Sequence, residues 1–273
     1  MKTALIAGGT SGVGLSIAKA LLRKEYEVYL LGQNKPKGEA IEMLLNKSFS
    51  GNAHFIRVDL SNISEVKSFS KNFSEKHDKL DVLANVAGVM EETRKITKEG
   101  FEKTFAVGYL SAFVLATQLA PLLEKASHAR IVNVAGVASF VFKAKLDFDD
   151  LTFSQNYSSF KTAITTIHAK TILTEILADK YASIGVDVNS FHPGAVRSNL
   201  MNNMGGWKGL LFRIVGKLMS QDSKTGIYAS CSAELEGVTG KYLDKKKIID
   251  LNFDNDYKQQ LWDESEKLIR SVS

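Results

Sequence analysis

Apolar runs of strand length alternate with longer amphipathic stretches along this chain, and the alternation predicts an order of elements. Thr3 to Ala7 is a short apolar run ending in a cluster of glycines, and a helical pattern follows from Leu15 to Leu22. Glu27 to Leu31 reads as a second strand, leading through Gly32-Gln33-Asn34 into a helix that starts near Pro36, a favoured first-turn residue. A third strand spans His54 to Val58, and Asn62 with Glu65 has the capping-box spacing that opens a helix to about His77. Leu80 to Val86 is a fourth strand, followed by a helix from Phe101 to about Leu123 and a fifth strand from Arg130 to Val134. Ser158 to Ser183 is a long helical stretch, and a sixth strand from Asp187 to Phe191 ends in His192-Pro193-Gly194. Strand and helix alternate throughout. That order predicts an α/β fold: a doubly wound parallel sheet with helices on both faces and ligands at the carboxyl ends of the strands.

Composition and local pattern narrow the picture further. No Pro-, Gly- or Ser-rich linker divides the 273 residues and only 3 are proline, so residues 1–273 read as one domain. The formal net charge of +5 is scattered, and its densest cluster, Lys245-Lys246-Lys247, reads as a solvated turn with no nucleic-acid role. Cys231 is alone, which excludes an internal disulfide and fits a reducing, cytoplasmic setting. Asp147, Asp149 and Asp150 lack an accompanying His or Cys, so they read as a solvated, helix-capping loop without a metal. Met1 to Ala7 is too short to be a signal peptide. The apolar stretch from Phe105 to Leu123 is interrupted by Thr117, Gln118 and Pro121, as in a buried or interface helix.

The glycine cluster carries the first chemistry. A strand, a glycine turn and a helix let the backbone approach a pyrophosphate, whose charge sits on the free N–H groups of the helix start. The spacing is Gly8-x-x-x-Gly12-x-Gly14, and Asn85-Val86-Ala87-Gly88 closes the fourth strand. With these motifs the chain resembles the short-chain dehydrogenases/reductases, a Rossmann-type family. The resemblance covers the whole chain. Phe148-Asp149-Asp150-Leu151, His192-Pro193-Gly194-Ala195-Val196, Gly240-Lys241-Tyr242 and Leu261-Trp262-Asp263-Glu264-Ser265-Glu266 look like stretches of the retinol dehydrogenase and WW-domain oxidoreductase branch. It implies dinucleotide contacts at Gly8, Thr10, Ser11, Gly12, Val13, Gly14, Gln33, Asn34, Asp59, Leu60, Asn85, Ala87, Gly88, Pro193, Gly194, Val196 and Ser198. Asp59 would bind the adenine amino group. Val86 departs from the family pattern Asn-Asn-Ala-Gly. Gln33, at the end of the second strand, is neutral, with Lys35 and Lys37 nearby, so NADP(H) is preferred over NAD(H).

The family's proton chemistry uses an asparagine, a serine, a tyrosine and a lysine four residues after the tyrosine. Tyr157-Ser158-Ser159-Phe160-Lys161 has that Tyr-Lys spacing, but three anchors reject it. Counting back from Gly185-Val186 and His192-Pro193-Gly194, and forward from Asp150-Leu151, both place the tyrosine position at Ala163 and the lysine position at Ile167. Tyr157 falls six residues short of Ala163, about 9 Å along a helix and roughly a third of a turn off its face. The asparagine position corresponds to Gly108 and the serine position to Gly136. Ser139, three residues later, reaches in only if its loop rearranges. His168 and Lys170 beyond Ile167 read as surface or packing residues, and Tyr109 adjoins Gly108.

Three functions follow from the resemblance. The first is a dinucleotide-binding member with a degenerate redox site, acting as sensor, scaffold or partner subunit. The second is a working NADP(H)-dependent oxidoreductase of an apolar carbonyl or alcohol, using Tyr157, Lys161 and Ser139 or another group. The third is a non-redox enzyme reusing the pocket. Residues 205–219, apolar with interspersed basic residues, read as a substrate lid, with membrane-surface contact or a partner surface as the alternatives. A homodimer or homotetramer through the long helices after strands four and five is the expected assembly.

Overall fold

The structure, a computed structural model, describes residues 1–49, 51–155, 157–196, 220 and 222–272. Strands β1 (Thr3–Ala7), β2 (Glu27–Gly32), β3 (Ala53–Arg57), β4 (Val82–Asn85), β5 (Ala129–Val134), β6 (Val186–Phe191), β7 (Lys241–Asp244) and β8 (Lys247–Asp250) form one sheet in the order β3-β2-β1-β4-β5-β6-β7-β8. All neighbours are parallel except β7 and β8, which pair antiparallel across a turn where Lys245 has φ 57°. The sequence reading placed a turn at these lysines and left the hairpin around it unread.

The strands of the inner sheet are apolar on both faces because both faces are covered. Helix α1 (Gly12–Leu22), helix α2 (Lys35–Ser48) and the helix Lys224–Cys231 cover one face, where Ile6, Ile17, Leu30 and Phe191 are fully buried. Helix α3 (Ile63–Lys76), the segment from Lys103 to Gln118, helix α8 (Ser159–Tyr181) and the C-terminal helix Asn255–Arg270 cover the other, around Leu5, Leu83, Ile131 and Leu173. Two-sided burial gives continuous apolar runs and makes the predicted doubly wound sheet. Local caps act where the sequence put them. Asn62 Oδ1 accepts from Glu65 N–H at 3.0 Å, and Ser158 stands at the N-cap of α8. The capping box is only half built, because Glu65 Oε1 turns to Arg57 and to Asp59 N–H.

One element departs from prediction. The helix expected over 101–123 is divided into α4 (Lys103–Phe105), a π turn (Ala106–Leu110), α5 (Ser111–Gln118) and α6 (Ala120–Glu124). Pro121, which has no N–H to give, stands in the first turn of the last piece. The π turn sits where Gly108 crosses α8: a β-carbon there would lie 2.5 Å from Thr166 Cγ2. Among the described residues, no helix is long and apolar enough to cross a membrane.

Candidate functional site

The sheet order reverses between β1 and β4, so a crevice opens at the carboxyl ends of these strands, and the glycine turn lies in it. Gly8 has φ +88° and Gly12 φ +51°, backbone that side chains rarely adopt. A β-carbon on Gly8 would lie 2.8 Å from Ala87 Cα, and one on Gly14 would run into the Gly8 carbonyl oxygen. Thr10 packs on Gly32 at the end of β2. Ser11 takes the N-cap position of α1 with no side-chain cap bond, and no acidic residue stands in the first turn. The first N–H groups of α1, from Gly12, Val13 and Gly14, are therefore left for an anion. These residues fit the pyrophosphate of a dinucleotide.

At the far end of the crevice, Gln33 Nε2 donates to Asp59 Oδ2 at 2.7 Å, and Ser61 N–H and Oγ–H donate to Asp59 Oδ1. Gln33 and Asp59 thus form one polar wall, with Leu60 buried behind it. Asn34 faces its own helix: Oδ1 accepts from Lys37 N–H at 3.0 Å. Lys35 pairs with Glu39 at 3.8 Å, and burial pushes the Lys37 ammonium below its usual range.

The central strands end in a buried polar chain that the sequence did not disclose. Asn85 Nδ2 donates to Asn133 Oδ1 at 3.0 Å, and Asn133 Nδ2 donates to Thr174 Oγ1 at 3.0 Å. This chain holds Asn85, Ala87 and Gly88 over the glycine turn. On the other flank, Ser223 N–H donates to Ser16 Oγ, and Ser223 Oγ–H donates to the Pro193 carbonyl, both at 2.9 Å. Ser223 thereby ties the turn at Pro193 and Gly194 (φ +77°) to α1, and Val196 bridges to Ser220. Ser198 and the expected lid 205–219 lie outside the described residues.

Around the expected proton-transfer positions the structure brings hydrocarbon together. A β-carbon on Gly136 would lie 3.7 Å from Cδ1 and Cγ2 of Ile167 and 3.2 Å from Val141 Cγ2. Ala163 and Ile167 are one helical turn apart on α8, and both are half-buried. Gly108 meets Thr166, the neighbour of Ile167. Gly136 and Ile167 therefore adjoin through carbon, while the Tyr242 hydroxyl donates to the Gly136 carbonyl at 2.6 Å.

The alternative trio is divided. Tyr157 O–H donates to the Glu91 carbonyl at 2.9 Å, away from Gly136. Burial, with the negative charge of Glu102, pushes its phenol above the usual range. Ser139 and Lys161 instead line an apolar groove of about 530 Å³ with Phe140, Leu146, Phe160 and Ile164. Of the three aspartates, Asp147 caps the short turn Phe148–Asp150 by accepting from Asp149 N–H at 3.1 Å, and Asp150 accepts from Ser154 and Gln155 N–H of the following loop at 2.8 Å. No metal-binding group of His, Cys, Asp or Glu occurs among the described residues.

His168 and Lys170 are not on the surface. Both are 2 % exposed. His168 Nδ1 lies 2.7 Å from the Val141 carbonyl and Nε2 3.3 Å from Tyr257 O–H, and burial holds the ring's proton affinity below the usual range. Lys170 Nζ reaches the carbonyls of Asn85 at 3.4 Å and Ala87 at 3.5 Å. Tyr109 is also fully buried, its hydroxyl 2.6 Å from Ser265 Oγ. A three-residue offset from Ile167 on one face of α8 was the available signal for Lys170.

Comparison with known proteins places this geometry. The sequence model of the short chain dehydrogenases matches residues 2–209. Human polyprenol dehydrogenase is 30 % identical over 97 % of this chain and 84 % of its own length. Mouse retinol dehydrogenase 14 is 30 % identical over 98 % of this chain and 86 % of its own. Short-chain dehydrogenase TIC 32 B of Brassica napus chloroplasts is 30 % identical over 99 % and 89 %. Among solved structures, a protein of Mycobacterium paratuberculosis superposes with a TM-score of 0.76 at 22 % identity, covering 99 % of this chain and 94 % of that one. The chain belongs to the short-chain dehydrogenase family, and its similarity to curated proteins runs through the retinol dehydrogenase branch.

Proposed function

We propose that this protein binds a nicotinamide dinucleotide in the crevice at Gly8–Gly14 and has lost the ordinary proton-transfer chemistry of its family, serving as a cofactor-responsive sensor, scaffold or partner subunit. The single observation that carries this reading is the hydrocarbon contact between Gly136 and Ile167. When bound, the dinucleotide supplies hydride chemistry. The chain's own residues hold it: the α1 N–H groups take the pyrophosphate, Asp59 and Gln33 the adenine end, and Asn85 to Gly88 the floor. No hydroxyl or amine of Gly108, Gly136, Ala163 or Ile167 stands ready to move a proton. NADP(H) is favoured over NAD(H) because β2 ends in a neutral Gln33 and the neighbouring Asp59 is already bonded to Ser61 and Gln33.

A working oxidoreductase of an apolar carbonyl or alcohol is the second reading, favoured by relatives whose names are dehydrogenases and by the apolar groove at Phe140 and Phe160. A cytoplasmic homo-oligomer suits either reading. Calorimetry with NADP(H) and NAD(H), followed by dinucleotide oxidation and reduction with a panel of apolar aldehydes and alcohols, separates the two. Binding that Gly14→Val abolishes, with no turnover, is the expected result. Turnover at ordinary enzymatic rates overturns the degenerate-site reading, and absence of binding overturns the proposal as a whole.

A further inference from the structure

Lys170 is the one buried lysine among the described residues, and its position is peculiar in three ways. First, its ammonium has no carboxylate partner. Its two hydrogen bonds, 3.4 and 3.5 Å long, run to the carbonyls of Asn85 and Ala87, which is long for a charge-assisted bond. Second, those carbonyls belong to the floor of the crevice, because Ala87 packs directly against Gly8. Third, Lys170 follows Ile167 by three residues on the strip of α8 that runs beneath Gly136.

Among the described residues, no charged group on the surrounding elements pairs with Lys170. At the N-cap of α4, Glu102 Oε2 accepts from Phe105 N–H while its Oε1 is buried without a partner, and on the π turn Tyr109 bonds Ser265. On the sheet, Arg130 of β5 donates to the Ser232 carbonyl, Asp187 of β6 accepts from Gly237 N–H, and Lys241 of β7 pairs with Asp250. On α8 itself, His168 bonds the Val141 carbonyl, and Glu175 holds Lys258 of the C-terminal helix. Burial alone lowers the proton affinity of Lys170, bringing its pKa from 10.5 to about 7. The asparagines beside it cannot make up the deficit, since Asn85 Oδ1 is buried without a hydrogen-bond partner.

Resting on the dinucleotide-binding reading, we propose that Lys170 is a proton-linked cation of the cofactor site: part of the free protein carries it as a neutral amine, and it takes up a proton when a dinucleotide settles on the glycine turn. The ligand's negative charge reaches Lys170 through a poorly solvated floor, where Coulomb attraction is several-fold stronger than in water. The ammonium then draws the Asn85 and Ala87 carbonyls together beneath the cofactor. Binding and protonation favour each other, so affinity rises as pH falls towards neutrality. Lys170 touches the floor rather than the reacting atoms and is a positioning residue.

Calorimetric titration with NADPH and NADH at pH 7.5, in buffers of different ionisation enthalpy, tests this. NADH is included because the 2′-phosphate of NADPH itself titrates near neutral pH. The wild type is expected to take up more than about half a proton per dinucleotide, with affinity falling roughly tenfold between pH 7 and 9. Lys170→Arg, charged throughout, retains binding and loses the uptake. Lys170→Met, which fills the site without charge, also loses the uptake and binds about tenfold more weakly. Wild-type binding without buffer dependence overturns the role of Lys170 and leaves dinucleotide binding standing, as does uptake that persists in Lys170→Met. Absence of any binding overturns both.

Discussion

Ile167 closes over Gly136: a β-carbon on the glycine would lie 3.7 Å from two carbons of the isoleucine side chain. The segment after β5 and the middle of α8 thus come together through carbon at the positions that the resemblance assigns to the family's serine and lysine. If these replacements alone account for a missing activity, restoring polarity restores chemistry. The variant Gly136→Ser, Ala163→Tyr, Ile167→Lys is expected to reduce apolar aldehydes such as retinal with NADPH, at about a hundredfold or more above wild type. Ala163→Tyr alone does little, because without a neighbouring ammonium its phenol stays near pKa 10. Val141 must shift by a few tenths of an ångström for the new serine, since its Cγ2 stands 3.2 Å from the added carbon. Circular dichroism checks folding first, and dinucleotide oxidation reads the outcome. A folded triple variant that reduces nothing places the defect elsewhere.

Gly108 cannot be restored by the same logic. Gly108→Asn drives its β-carbon into Thr166 Cγ2, and such overpacking costs about 1–3 kcal/mol. Thr166→Ser removes that methyl and keeps the hydroxyl that bonds the Thr162 carbonyl at 2.8 Å. The double variant is therefore expected to recover most of the lost stability. Urea unfolding of the four proteins measures the coupling, and strictly additive effects would show that the two residues do not meet.

Tyr157→Phe is expected to leave dinucleotide affinity and any turnover unchanged. It removes the bond to the Glu91 carbonyl and lowers stability by about 1 kcal/mol. A hundredfold loss of turnover would move the proton donor back to Tyr157 and overturn the register of α8.

Lys170 makes the free protein sensitive to pH. The unfolded chain binds its proton with a pKa of 10.5, and burial brings the folded value to about 7. Between these values the unfolded state holds the extra proton, so stability rises with pH in that window and levels off below it. Lys170→Met is expected to stabilise the free protein by a few kcal/mol at pH 7. The advantage shrinks by about 1.4 kcal/mol per pH unit towards pH 10. Denaturation midpoints at pH 7, 8 and 9 read the slope, and parallel curves for the two proteins contradict the burial of a titrating amine.

His168 gives a second window. Burial depresses its folded pKa below the ordinary 6.5, so its contribution is fully present above that value and is lost as pH falls below it. His168→Gln is expected to flatten the stability profile below pH 6.5. An unchanged profile would assign that region to other groups.

The order of elements as far as β6, the glycine turn and the cap at Asn62 were legible in the sequence because each is a local device. Period-two and period-3.6 patterns, Asn62 before Glu65 and glycine at Gly8 and Gly12 all act within a few residues of themselves. Counting from anchors on either side of one long helix assigned Gly136 and Ile167 their positions, but that the two stand side by side is a contact between distant segments. Other features required the tertiary structure. Whether Lys170 points to water or to the sheet depends on Asn85 and Ala87, over 80 residues away in the chain. The chain from Asn85 through Asn133 to Thr174 joins three elements in the same way. The π turn at Gly108 exists where a second helix crosses, and Lys245 makes a hairpin only because β7 finds β6 to pair with. A lysine's own neighbours in sequence say little about its charge. Burial sets that, and burial is decided by which surfaces the finished fold brings together.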